Sequence, residues 1–301
     1  MMRLSSAAAA IHADMCGTDV EFTRVATDTR TIQPGDLFVA IKGERFDGHQ
    51  FARQALDKGA AAVMVAVDSG CDVQPALIVG DTRLALGQLA AWWRAQMPAR
   101  LIAITGSNGK TTVKEMLAGI LRAASSNDAV LATQGNFNND IGMPLTLLRL
   151  QQQHEYAVIE MGMNHQGEID YLTRLANPDV ALVNNAGAAH VGMLGSVENV
   201  ARAKGEIFSG LKDDGVAVIN ADDVYAGLWR NLAGKHQVLD FGIEQGAVRG
   251  SCSAHARGSE VTLHTPIGQL QFGLQVAGEH NVRNALAATA AALALNINVD
   301  A

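Results

Sequence analysis

Apolar and polar residues alternate along this chain with two periods, which change near residues 81–100. Ahead of that point the apolar runs are short and bounded by turn formers, as strands are. Leu37–Ile41 follows the turn Gln33-Pro34-Gly35-Asp36, and Ala62–Val67 and Ala76–Val79 come next. Between them Phe51–Lys58 reads as a helix ended by Gly59. At Thr82–Met97 the period becomes helical, with Leu84, Leu86, Leu89, Ala90 and Trp93 apolar, and Pro98 stops it. The pair Trp92-Trp93 falls inside that pattern and is expected to pack in a core.

From Leu101 onward, solid apolar runs alternate with helical stretches. Strands fit Leu101–Thr105, Ala157–Gly162, Val180–Asn184 and Val216–Asn220. Helices fit Thr111–Ala124, Gly142–Leu150, Val197–Leu211 and Asn281–Leu295. Runs with no polar face, separated by helices, are the pattern of a parallel sheet covered on both sides. Residues 250–277 alternate instead and read as an antiparallel edge or hairpin. The expected fold class is α/β: a small N-terminal α/β domain, residues 1–81, followed by a phosphate-loop domain with a mostly parallel sheet, residues 82–301.

Composition narrows the function classes. The chain has 301 residues, 48% apolar and 18% charged, with 30 Gly and 6 Pro, which are globular proportions. A net charge of −7 without a basic run, and only 5% aromatic residues, argue against a nucleic-acid partner. No stretch approaches the roughly 20 apolar residues that span a bilayer. Cys16, Cys71 and Cys252 are odd in number and far apart, so a reducing, cytoplasmic setting is expected rather than a disulfide framework or zinc site. Leu4–Ile11 after Arg3 is short for a signal peptide, with His12 and Asp14 close behind; an N-terminal helix is expected there.

The strongest chemical signal is Ile104-Thr105-Gly106-Ser107-Asn108-Gly109-Lys110-Thr111-Thr112. An apolar strand enters a glycine turn that opens a helix. Gly106 and Gly109 let backbone N–H groups converge, the helix N-terminus adds positive potential, and Lys110 supplies a point charge for terminal phosphates. Thr111 can offer its hydroxyl to Mg²⁺. The spacing is shorter than the common G-x-x-x-x-G-K-[ST], since position 104 is Ile. Glu160 ends the strand Ala157-Val158-Ile159, at the sheet edge where ligands of such folds collect. Taken alone, His190 reads as a surface or core histidine and Lys204 as a solvated helix charge.

Together these residues resemble the Mur ligases, ATP-dependent amide-forming enzymes of peptidoglycan precursor synthesis. The loop has that family's short T-G-x-x-G-K-[ST] form. Gly278-Glu279-His280-Asn281-Val282-Arg283-Asn284-Ala285-Leu286-Ala287-Ala288 is similar to its G-x-H-N-x-x-N-x-L-A-A segment. The resemblance implies Asn281 on adenine with Asn284 in support, Glu160 and His190 as metal ligands, and Lys204 carbamylated so that it, too, can hold Mg²⁺. Thr27-Asp28-Thr29-Arg30, Pro34–Ala40 and Gly43–Phe51 resemble the family's UDP-substrate domain, which implies Thr29, Arg30, Gly48 and His49 as substrate-binding.

Within the family, Gly135–Gly142 and Met163–Ile169 resemble the branch that adds a dipeptide. That implies Asn136, Asn138, Asn139, Asn164 and His165 on substrate, UDP-N-acetylmuramoyl-tripeptide and D-alanyl-D-alanine as partners, and ATP with Mg²⁺. The asparagine cluster also reads simply as a polar loop capping the helix after Gly142. The family continues with a third domain of about 150 residues, an ordinary size. None of its motifs precedes Ala301, so a truncated chain with little turnover is expected; a monomer is also expected. The rival readings are a tripeptide-forming ligase of the same family and a non-catalytic nucleotide-sugar-binding fragment.

Overall fold

The computed structural model describes residues 1–44, 46–189, 191–255 and 258–298. The chain divides into two compact units: residues 1–96 with 140–149, and 97–139 with 150–301.

In the first unit β1 (Met2–Arg3) leads into α1 (Leu4–Ile11), and β2 (Asp14–Cys16), β3 (Glu21–Phe22) and β4 (Arg24–Ala26) follow. Next come β5 (Asp36–Val39), α2 (Ala52–Asp57), β6 (Ala62–Ala66), β7 (Ala76–Val79) and α3 (Thr82–Ala95). The five-stranded sheet has the order β2-β7-β6-β5-β4, parallel except for β2. Phe38, Val63 and Val65 point to one face, where Ala52 and Ala55 of α2 cover them. Asp81 caps α3 by accepting from the N–H groups of Arg83 and Leu84. The sequence pattern put α3 at the start of the second domain; the structure groups it with the first, where it packs on α1 and on a later helix, Gly142–Leu147.

In the second unit β8 (Arg100–Thr105), α4 (Lys110–Ala124) and β9 (Val130–Ala132) come first. The chain then lends α5 (Gly142–Leu147) to the first unit before β10 (Tyr156–Glu160), α6 (Glu168–Ala176) and β11 (Val180–Val183). α7 (Val191–Leu194), α8 (Val197–Gly205), β12 (Val216–Asn220), α9 (Ala226–Ala233) and β13 (Gln237–Gly242) follow. β14 (Val248–His255), β15 (Gly258–Thr265), β16 (Gly268–Leu274) and α10 (Glu279–Ala294) complete it.

The nine strands run in the order β16-β15-β14-β13-β12-β11-β8-β10-β9. All pairs from β9 to β14 are parallel, and β14, β15 and β16 form the antiparallel edge expected for residues 250–277. α4 and α10 cover one face, over Ile102, Ile104, Val158, Leu182 and Val218. Trp229 of α9 is fully buried, and its indole N–H donates to the Ala201 carbonyl of α8 at 2.9 Å.

The chain leaves β8 towards β9 and β10 on one side and returns to β11 on the other. That reversal makes the carboxyl end of β8 a topological switch point, where open α/β sheets hold ligands. Helix α8 stops at Gly205 instead of running to Leu211, with a 3₁₀ segment Glu206–Gly210 after it. Glu206 turns there to accept from the N–H groups of Gly167 and Asp170, capping α6. Strands β9 and β13 and helices α6 and α9 were not anticipated from the pattern. No helix among the described residues is long and apolar enough to cross a membrane.

Candidate functional site

The loop Gly106–Gly109 leaves β8 at the switch point and opens α4. Gly109 has φ +79°, a left-handed conformation that glycine adopts without strain. A Cβ there would overlap Asn284 Oδ1 and fall 2.7 Å from Asn184 Nδ2. The segment after β11 holds the loop from behind. Ser107 N–H donates to the Asn185 carbonyl at 3.0 Å, and Asn108 N–H donates to Asn185 Oδ1 at 2.9 Å. The Asn108 carbonyl accepts from Asn184 Nδ2 at 3.0 Å and Asn185 Nδ2 at 3.1 Å. The first N–H groups of α4 have no partner within a helix, which suits them to phosphate oxygens.

Lys110 donates to the Gly106 carbonyl at 2.7 Å, folded back over its own loop. Burial lowers its pKa, and the Glu160 carboxylate opposes the shift. Thr111 Oγ1 donates to Glu160 Oε2 at 2.9 Å, and Asn138 Nδ2 donates to Glu160 Oε1 at 2.8 Å. Glu160 is only 3% exposed, and its backbone N–H donates to Thr133 Oγ1 at 2.9 Å. A hydroxyl and a carboxylate joined beside a phosphate loop are hard oxygen donors. They suit Mg²⁺, which is usually held by one or two carboxylates, water and substrate phosphates rather than by an all-protein cage. Among the described residues no group of three or more His, Cys, Asp or Glu forms a further metal site.

The structure thus brings together Gly106, Gly109, Lys110, Thr111, Glu160 and, less expectedly, Asn138. Lys204, on α8, is 1% exposed rather than solvated. Burial and the charge of Lys110 lower its pKa to about 7, and among the described residues no carboxylate pairs with it. His190 lies outside the described residues. Asn281 is half-buried at the start of α10 and donates to the Ala277 carbonyl at 2.8 Å. Asn284 is 5% exposed and accepts from Asn184 Nδ2 at 3.0 Å, so its amide ties α10 to the loop. Asn136, Asn139, Asn164 and His165 are exposed, and the Asn164 N–H donates to Glu168 Oε2 at 2.7 Å. Ser107 Oγ accepts from Gly187 N–H at 2.9 Å, and Thr112 is half-buried on α4.

Asn184, Asn185 and Thr133 were missed in the sequence. The available signal was position: each lies one or two residues beyond an apolar strand at the edge that carries the loop.

In the first unit, Arg30 is exposed and bonded bidentately to Asp28, whose pKa it lowers to about 2. Thr29 Oγ1 approaches Gln54 Oε1 at 3.4 Å. Gly48 sits so close to Ile41 that a Cβ would fall 2.8 Å from its backbone N and O. His49 is 7% exposed, with both ring nitrogens engaged. Ala66 N–H donates to Nε2 at 3.0 Å, which leaves the proton on Nδ1 to bond Asp47 Oδ1 at 2.6 Å.

Strand, glycine loop and helix at the switch point of a parallel sheet define the second unit as a phosphate-loop α/β domain. The family model described as the Mur ligase middle domain matches residues 104–292. The model described as Mur ligase family, catalytic domain, matches residues 21–93. The chain belongs to the Mur ligase family. It is 48% identical over 296 residues to the UDP-N-acetylmuramoyl-tripeptide–D-alanyl-D-alanine ligase of Escherichia coli K12, covering 97% of this chain and 64% of that relative. A crystal structure of MurF from Acinetobacter baumannii superposes with a TM-score of 0.91 at 40% identity, covering 98% of this chain and 65% of that one. MurF ligase from Thermotoga maritima in complex with ADP gives 0.83 at 29% identity, covering 92% and 64%.

Proposed function

We propose that this chain carries the UDP-muropeptide-binding and ATP-binding parts of a ligase that joins UDP-N-acetylmuramoyl-tripeptide to D-alanyl-D-alanine. The observation that carries the reading is the hydrogen bond from exposed Thr111 to buried Glu160 beside Lys110, at the strand end that opens the phosphate loop. The 48% identity to the Escherichia coli ligase that joins this tripeptide and dipeptide supports the choice of substrates.

In the reaction, a terminal carboxylate oxygen of the tripeptide bonds to the γ-phosphorus of ATP while the bond to ADP breaks. The dipeptide amine then bonds to the acyl carbon, phosphate leaves, and the nitrogen gives up a proton. There is little covalent work for the protein in such transfers, so positioning and electrostatics dominate. The α4 N–H groups and Lys110 bind the phosphates, with Lys110 leaving the Gly106 carbonyl to do so. Thr111 and Glu160, joined by His190 and a carbamylated Lys204, would hold Mg²⁺. Bound by these residues, Mg²⁺ would supply positive charge opposite the transferred phosphoryl group.

Lys204 suits carbamylation, because burial lowers its pKa to about 7 and so makes the neutral amine far more available near neutral pH than that of an exposed lysine. The neutral amine's Nζ would bond to the carbon of CO₂ and release one proton, giving a carbamate anion. Asn281 serves the base. Thr29, Arg30, Gly48 and His49 build the UDP-substrate region, and Asn136, Asn139, Asn164 and His165 serve the peptide.

Calorimetry with UDP-muramoyl-tripeptide and UDP-muramoyl-dipeptide tests the reading. Preference for the tripeptide is expected. Preference for the dipeptide would select the tripeptide-forming ligase instead, and binding of neither would overturn the substrate assignment.

A further inference from the structure

Lys114 lies one turn beyond Lys110 on α4 and is only 2% exposed. Its ammonium donates to the Thr133 carbonyl at 2.7 Å and pairs at 2.7 Å with Glu115, a carboxylate at the surface. Lysine normally keeps its charge in water and buries only its stem. Seating the ammonium in the interior costs free energy unless partners compensate. Packing alone would favour an aliphatic side chain here, next to buried Val113 and Leu117.

The carbonyl that Lys114 holds belongs to the residue whose hydroxyl accepts from the Glu160 backbone N–H at 2.9 Å. Thr133 N–H donates to the Val158 carbonyl at 3.0 Å, extending the β9–β10 ladder by one rung. Lys114 therefore ties the helix bearing Lys110 and Thr111 to the strand end that seats Glu160. The loop that leaves Thr133 returns with Asn138 on Glu160 Oε1. Gly162 N–H donates to the Asn138 carbonyl at 2.8 Å, and a Cβ on Gly162 would fall 2.9 Å from Asn138 Oδ1. Glu160 is thus braced at its backbone and at both carboxylate oxygens.

We propose that Lys114 and Thr133 are positioning residues that fix Glu160 against Thr111 and so set the affinity of the loop for a divalent cation carried by nucleotide phosphates. The inference rests on the nucleotide-binding reading above. Groups behind a metal ligand typically govern metal affinity by about 10–100-fold.

The test is calorimetric binding of ADP to the 301-residue chain, with Mg²⁺ and with a chelator in its place. Thr133→Val, which keeps the shape and removes the hydroxyl, is expected to cut the Mg²⁺ enhancement of ADP affinity about tenfold and leave the chelator value unchanged. Lys114→Met is expected to do the same, and Thr133→Ser to restore the enhancement. In a Glu160→Gln background, Thr133→Val should have no further effect, since it acts through that carboxylate. Wild-type Mg²⁺ enhancement in both Thr133→Val and Lys114→Met would overturn the proposal, as would equal losses with and without Mg²⁺. A wild-type chain that binds no ADP would overturn the nucleotide reading and this proposal with it. If circular dichroism shows that Lys114→Met does not fold, the Thr133→Val and Thr133→Ser pair decides.

Discussion

Gly109 of the phosphate loop and Asn284 of the last helix are in direct apposition: the space that a Cβ at 109 would need is occupied by Asn284 Oδ1. The last helix and the glycine loop are therefore in register through one missing methyl group. Asn184 completes the junction, donating to both Asn284 Oδ1 and the Asn108 carbonyl at 3.0 Å. Gly109→Ala should strain the backbone at φ +79° and push the two amides apart. A destabilisation of about 1–3 kcal/mol is expected, seen as a lower denaturant midpoint, together with weaker ADP binding. Asn284→Ala, which empties the space, should restore part of the stability lost by Gly109→Ala; strict additivity of the two changes would contradict the apposition.

Lys110→Met should separate the two kinds of ligand. Removing a charged hydrogen-bond donor costs about 1.5–3 kcal/mol, so ADP affinity should fall by roughly 10–100-fold. Affinity for the UDP-muropeptide should be unchanged. Calorimetry with each ligand measures both, and parallel losses would show that the lysine is structural.

Lys204 predicts a pH dependence of stability. An unfolded lysine keeps its proton up to about pH 10.4, whereas the folded site releases it near 7. Between those values the unfolded chain binds more protons, so stability rises with pH across that window. Below it both states are protonated and the cost of burying the charge is fully present. In CO₂-free buffer, Lys204→Met should therefore stabilise the chain most near about pH 6 and progressively less towards about pH 10. Urea titrations along that range measure the difference, and a gain that grows with pH would reverse the assignment. With ¹³CO₂ added, the wild type should show a carbamate carbon resonance that Lys204→Met lacks.

His49 lies in a buried bracket between Asp47 and the Ala66 N–H. His49→Leu leaves that N–H unsatisfied and should destabilise the chain by about 1–3 kcal/mol. Muropeptide affinity per folded molecule should change little if the ring acts through the shape of the Gly48 turn. Comparing denaturant midpoints with binding at low temperature distinguishes this from direct contact.

The sequence carried the parallel sheet and its loop because runs such as Leu101–Ile104 and Val180–Val183 are buried on both faces and hold no polar residue. Strand β9 escaped notice because three residues make no pattern. Strand β13, Gln237–Gly242, is interrupted by Asp240, which instead pairs with Arg230 at the surface. Glu160 was legible as a carboxylate at a strand end. Its supports were not, since Thr133 and Asn138 meet it only after the chain has travelled through β9 and a loop. Lys114 carried a signal that charge disguised: it falls on the inward stripe with Leu117 and Leu121, positions that helical periodicity assigns to the core.

Helix α5 belongs by packing to the first unit yet is encoded inside the second, so the chain passes between units after Gln96, Asn139 and Arg149. The consequence is one of dissection. A segment cut at Gln96 would lack a helix of its own unit and expose the part of α3 that packs on α5. The remaining segment would carry that helix with nothing to pack it on. Neither part is a transferable module, and shuffling this protein by cutting at a single interdomain boundary would break both halves.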